Sequence, residues 1–215
     1  MDVNSFMQNL AIIMVAYLFG AIPFCYLIAR IHSGKDLRKI GERNPGSVNL
    51  MFNVSKSLGV VGGILDFLKG FAAYLVSYMI SGSLAVAVLA SSAAVLGHNY
   101  SPYLKFSGGK GMATTIGVLF AANPFSILAF GILFIAFLLV SKNIIWSIML
   151  SISGACLFIY FFERSGAFLL LLLLLLFIVI PKYTAFSRKF WVSFKIDRSI
   201  PLKDLLYEKE KFNKS

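Results

Sequence analysis

The chain has 215 residues, of which 59% are hydrophobic and 13% charged, and its mean hydropathy is +0.83. A soluble domain is about 45–50% apolar and about 25% charged, so an ordinary cytosolic enzyme and a disordered chain are both excluded, and lipid must solvate most of this surface. The formal net charge is +11, from 20 Lys and Arg against 9 Asp and Glu, which suits nucleic acid, an anionic membrane or an anionic substrate until the charges are located.

Residues 1–9 contain Asp2 and no Lys or Arg, so a secretory signal is not expected. Apolar runs then predict spans at 10–31, 58–80, 84–97, 111–122, 125–140, 144–162 and 166–180. The fold expected is therefore an all-α polytopic membrane protein with about seven transmembrane helices. The third and fourth runs are short, about 12–14 residues, against about 20 for a full span. A re-entrant pair that dips in and returns is the alternative, and it leaves the orientation of the rest unchanged. The 169–176 stretch is pure leucine and reads as lipid-facing.

Orientation follows from the basic residues. With the N-terminus outside and the C-terminus cytoplasmic, every Lys and Arg except Lys69 and Arg164 falls on the cytoplasmic side. Charge spread over several short inner loops is what membrane insertion requires, and it removes nucleic acid as a partner. Residues 1–181 are expected to form a single membrane-embedded helical domain. Residues 182–215 are expected to form a basic cytoplasmic or interfacial tail, with Phe186, Phe190, Trp191 and Phe194 interleaved with Arg188, Lys189 and Lys195. Cys25 and Cys156 both lie in apolar runs, so neither a disulfide framework nor a metal spacing is indicated.

Two glycine-rich polar loops fall on the same side, at 34–49 and 97–111. The second ends in Gly108-Gly109-Lys110-Gly111 and runs into a predicted helix. Glycines let backbone N–H groups approach an anion, a helix start adds unpaired donors, and Lys110 adds a full charge. That is a phosphate site without being a Walker A loop, because Gly111 stands where Ser or Thr would be needed. Its bland reading is a flexible turn with a snorkelling lysine. Asp66 and Lys69 lie about 12 and 17 Å along their helix from Leu58; charges at that depth either line a polar cavity or neutralise each other. His98 is a general base or a helix cap, with the residues leaving both open. His32 and Ser33 mark a helix exit.

These residues together resemble the acyl-phosphate-dependent glycerol-3-phosphate acyltransferases, the PlsY family, over 17–122. Tyr17-Leu18-Phe19-Gly20-Ala21-Ile22-Pro23-Phe24, Lys35-Asp36-Leu37-Arg38, Asn44-Pro45-Gly46 and Asn49 are similar to the family's first motif. Asp66-Phe67-Leu68-Lys69-Gly70 resembles its second-span signature, and Gly97-His98 followed by Lys105 to Thr114 matches its second motif. Four features depart from the pattern. Glu42 and Arg43 replace a Ser-Gly pair, Val48 replaces a threonine, Phe52 a basic residue and Ala21 a serine. The third motif is not recognisable in 181–215.

The resemblance implies a multi-pass enzyme of the bacterial inner membrane with its active site on the cytoplasmic side. It would move an acyl group from acyl-phosphate to the 1-hydroxyl of glycerol 3-phosphate, giving lysophosphatidate, with no cofactor and no metal. Lys110 and His98 are the expected catalytic residues. Lys110 and the Gly108–Gly111 backbone, with Ser107 and Thr114 beside them, would bind the donor phosphate. Arg38, Asn44, Gly46, Ser47 and Asn49 would hold glycerol 3-phosphate, and Asp66 and Lys69 would shape the cavity floor. A non-catalytic or re-purposed paralogue, motivated by the departures, and a small-anion transporter are the alternatives.

Overall fold

The computed structural model describes residues 2–142 and 144–194, with side chains described outside 144–145 and 185–194. The described elements are α1 (Val3–Ala21), α2 (Phe24–Ser33), α3 (Ser47–Asn53), α4 (Lys56–Ser81), α5 (Leu84–Asn99), a 3-10 turn (Pro102–Leu104), α6 (Met112–Ala122), α7 (Ser126–Ser141), α8 (Ile144–Glu163) and α9 (Ala167–Phe194). The described elements are all helical, as expected. Five stretches are long and apolar enough to cross a membrane: Val3–Ser33, Lys56–Ser81, Leu84–Leu104, Trp146–Glu163 and Ala167–Thr184. Met112–Ala122 and Ser126–Ser141 are apolar but shorter.

Two boundaries differ from expectation. The first run, at 10–31, is not one helix: α1 ends at Ala21, and α2 restarts after Pro23. Proline has no N–H to donate and its ring clashes with the preceding turn, so the apolar run continues while the helix does not. At the other end, α9 runs through Pro181 to Phe194, so the boundary expected after residue 181 falls inside a helix. The side chains of the interfacial tail, from Phe186 to Phe194, and everything from Lys195 onward lie outside the described residues.

The helix α5 is central. It packs on α1, α4 and α9, while α6 packs on α4, α7 on α8, and α8 on α9. α5 lies chiefly against α1 and then α4, whereas α6 lies chiefly against α4. Small residues set the close crossings, since hydrocarbon supplies no hydrophobic drive between helices and backbones must approach closely to gain packing. A Cβ on Gly20 would collide with the Ala94 backbone, and one on Gly117 with the Phe67 carbonyl. These contacts draw α1 onto α5 and α6 onto α4. The leucine run is not uniformly lipid-facing: Leu171 and Leu175 are fully buried against the α5 and α8 side, whereas Leu173 is 66% exposed.

Candidate active site

The break in the first span builds the buried part of the site. A helix end leaves carbonyls without partners, and the Ile22 carbonyl receives the Lys69 ammonium at 3.0 Å. Lys69 is 1% exposed and lies 2.9 Å from Asp66 Oδ1. The other Asp66 oxygen accepts from Cys25 Sγ, in the first turn of α2, at 3.2 Å. His98 Nδ1 stands 3.5 Å from the same carboxylate. Asp66 and Lys69 thus neutralise each other and fasten both sides of the break to α4. The opposite ring edge of His98 abuts Gly109, where a Cβ would overlap Nε2. His98 therefore connects the charged pair to the glycine loop.

The 34–46 loop is organised around Asn49, which is 1% exposed. Its Nδ2 donates to the carbonyls of Leu37 (2.8 Å), Ile40 (3.1 Å) and Asn44 (2.8 Å). Its Oδ1 accepts from the Glu42 N–H and from Asn53 Nδ2. Asn49 was expected to hold glycerol 3-phosphate; its amide is instead consumed by the loop backbone, so it shapes the site rather than touching a ligand. Arg43 adopts φ 53, the left-handed region that costs an L-residue about 1–2 kcal/mol, at one of the positions where the sequence departs from the family's glycine.

Arg38 is held over the Tyr26 ring, 5.0 Å from its centroid, and pairs with Asp36 through Nε (3.0 Å) and Nη2 (2.8 Å). The guanidinium beside it lowers the Asp36 carboxyl to about 2, and the same bonds raise Arg38. The Nη1 edge has no partner among the described residues. The same holds for the side chains of Asn44 and Ser47, which stand half-buried by Gly46 at the start of α3. Beside Arg38, an apolar recess opens at the helix break, lined by Ile22, Pro23, Tyr26, Leu27, Tyr103 and Leu104.

The second loop doubles back on the end of α5. The Gly108 N–H donates to the Asn99 carbonyl at 3.2 Å and the Gly109 N–H to the His98 carbonyl at 2.9 Å. These two amides were expected to face a phosphate, and they face the protein. Their glycines are required because a Cβ on either would strike the 98–99 segment. Gly111 takes φ +82, and a Cβ there would strike Asn99 Oδ1. This turn starts α6, and the Thr114 hydroxyl in its first turn is buried without a hydrogen-bond partner among the described residues. Ser107 is exposed at the loop's outer edge.

Lys110 does not point into bulk solvent. Its Nζ lies 2.8 Å from Glu42 Oε2, with side-chain exposures of 18% and 29%. Burial lowers the Lys110 ammonium from its ordinary range, and the Glu42 carboxylate acts in the opposite direction. Glu42, which sequence reasoning registered merely as a departure from a motif, is thus the residue that joins the two loops. Nothing in its local sequence signals a partner 68 positions away. The spacing Asp36-Leu37-Arg38 did carry a signal for the acid–base pair that positions Arg38.

The family model described as glycerol-3-phosphate acyltransferase matches residues 10–190. A glycerol-3-phosphate acyltransferase of Thermosipho melanesiensis is 36% identical over 156 residues, covering 72% of this chain and 76% of that protein. Among solved structures, the integral membrane glycerol 3-phosphate acyltransferase PlsY in its glycerol 3-phosphate form superposes with a TM-score of 0.78 at 28% identity, covering 94% of this chain and 100% of the other. Its lysophosphatidic acid form gives 0.77 at 26% identity over the same shares. The chain is a multi-pass membrane protein that belongs to the glycerol-3-phosphate acyltransferase family.

Proposed function

We propose that this protein transfers a fatty acyl group from acyl-phosphate to the 1-hydroxyl of glycerol 3-phosphate, releasing lysophosphatidate and inorganic phosphate. The observation that carries the reading is the seat of Lys110: an ammonium folded back between two polar loops at the rim, 18% exposed, instead of turned to bulk solvent. The start of α6 lies beside it, and helix starts favour anions. The crossing is read as seven spans, with α6 and α7 as the two short ones. The N-terminus is outside, and the site opens on the cytoplasmic side of a bacterial inner membrane, where the basic loops lie.

The glycerol hydroxyl oxygen attacks the acyl carbonyl carbon, the new ester C–O bond forms, and the carbon–oxygen bond to the phosphoryl group breaks. The hydroxyl proton leaves with the departing phosphate, so no separate base is needed. Lys110 stabilises the negative charge that develops on the leaving group, which a preorganised cation does at little reorganisation cost. The Nη1 edge of Arg38, with Asn44 and Ser47, holds the glycerol phosphate. Fixing the two substrates together offsets the repulsion between their phosphates. The acyl chain lies in the apolar recess between Pro23 and Tyr103. His98 and Asp66 act as positioning residues that hold Gly109 and the helix break in place.

The test is purified full-length protein supplied with acyl-phosphate and glycerol 3-phosphate, beside Lys110→Ala. Lysophosphatidate from the parent and little from the variant is the expected result. A folded parent that makes none supports the second reading, a non-catalytic paralogue, which the Glu42 carboxylate on Lys110 favours. Phosphate flux through the same protein in liposomes would instead identify a transporter.

A further inference from the structure

Two phosphates need cations, yet the lysine of the glycine loop is already matched by a carboxylate. A further positive charge near this loop comes from α9. Ile178 accepts from Asn99 Nδ2 at 3.3 Å, which fixes α9 against the end of α5. One turn later on the same face, the Lys182 ammonium lies over the Tyr100 ring, 4.5 Å from its centroid. Lys182 is half-buried, and its charge also acts on His98. Its neighbour Tyr183 is buried within the field of the Glu42 carboxylate. Lys182 therefore stands at the end of α5, where the second loop begins.

Among the described residues Lys182 has no carboxylate and no hydrogen-bond acceptor; the face of Tyr100 is its one recorded partner. A ring face offsets part of the cost of removing an ammonium from water, but all three of its N–H donors are left unmatched. Such a group is stabilised by an anion. We propose that Lys182 is a phosphate-binding residue of the candidate active site, supplied by α9 and held in position by Tyr100. Its ligand is a phosphate monoester or acyl-phosphate dianion. The assignment rests on the site proposed above, but on its anion binding and not on its turnover. It also makes α9 a wall of the site as well as a span.

The experiment is calorimetric binding of inorganic phosphate to the full chain in detergent, for the parent, Lys182→Met, Lys182→Arg and the charge-matched control Lys142→Met. Met keeps the stem that covers Tyr100 and removes the charge. Lys182→Met is expected to weaken phosphate binding by about tenfold, the worth of one charge-assisted hydrogen bond. Lys182→Arg should stay within about threefold of the parent, and Lys142→Met should leave binding unchanged. The salt dependence of binding should also flatten in Lys182→Met alone. Equal affinity in Lys182→Met and the parent overturns the assignment, as does an equal loss in Lys142→Met or a parent that binds no phosphate. Phosphate binding that depends on Lys182, in a parent that forms no lysophosphatidate, would uphold this assignment and overturn the acyl-transfer reading. Turnover and binding indifferent to Lys182→Met would do the reverse.

Discussion

Two carboxylate–lysine pairs in this protein have nearly the same length and different roles. Asp66–Lys69 measures 2.9 Å with side chains 3% and 1% exposed, and Glu42–Lys110 measures 2.8 Å with 29% and 18% exposed. The buried pair is closed off: its members also serve the Ile22 carbonyl, the Cys25 thiol and His98. The rim pair joins two loops that carry further unmatched polar groups, and water or a solute can reach it. Burial, rather than distance, separates a pair that builds the frame from one that a ligand can exchange.

The sharpest way to break this comparison is to cut the buried pair. Asp66→Ala leaves an ammonium without a counter-charge in the membrane interior and is expected to cost about 3–5 kcal/mol, read as a lower melting point in detergent. The double variant Asp66→Leu/Lys69→Met should recover most of that loss. If it does not, the pair does more than neutralise itself. Next in size, Lys110→Ala should lower turnover by about 10²–10³-fold with little change in melting. A parallel loss of stability would place Lys110 with the frame instead. Gly111→Ala forces an L-residue into the left-handed region and onto Asn99, and should cost about 1–2 kcal/mol, with phosphate affinity falling alongside. Glu42→Gln removes the internal competitor for Lys110. Pairs of this exposure are worth about 1 kcal/mol or less, so inorganic phosphate should bind a few-fold more tightly in calorimetry.

The smallest effect belongs to Asp36. Its folded carboxyl is lowered to about 2 from an ordinary 3.8, so its pairing with Arg38 contributes fully above about 3.8 and is lost as the pH falls towards 2. Asp36→Asn should therefore lower the melting point slightly at pH 6, with the difference closing in that acidic window. A difference that persists below pH 2 would detach it from Asp36 ionisation.

Much of the frame was legible because lipid imposes long apolar runs, and the limits of α4 through α8 follow the hydropathy closely. The break at Ile22–Pro23 was not, since hydropathy stays high across it; the proline was the one local sign. The leucine run concealed its buried face because eight identical residues carry no periodicity. In the site, Lys110 and the glycines were readable from chemistry and spacing, and so was the cost of burying Asp66 and Lys69. What Asn49 and the Gly108 and Gly109 amides bond to was not, because each partner is fixed by loop closure rather than by neighbours in sequence. Glu42 and Lys182 stayed hidden for the same reason: Lys110 and Tyr100, which they meet, lie far along the chain from them, and local pattern does not relate such positions.

The break in the first span also bears on how the chain enters the bilayer. Until α4 arrives, the Ile22 carbonyl has the Phe24 N–H as its one partner among the described residues, and α4 on its own carries an aspartate–lysine pair whose remaining donors and acceptors are unmet. Neither segment is comfortable as an independent inserted rod, yet each supplies what the other lacks. The two must therefore be handed to lipid together, as a joint unit leaving the insertion machinery, and biogenesis should stall at any truncation that ends between them.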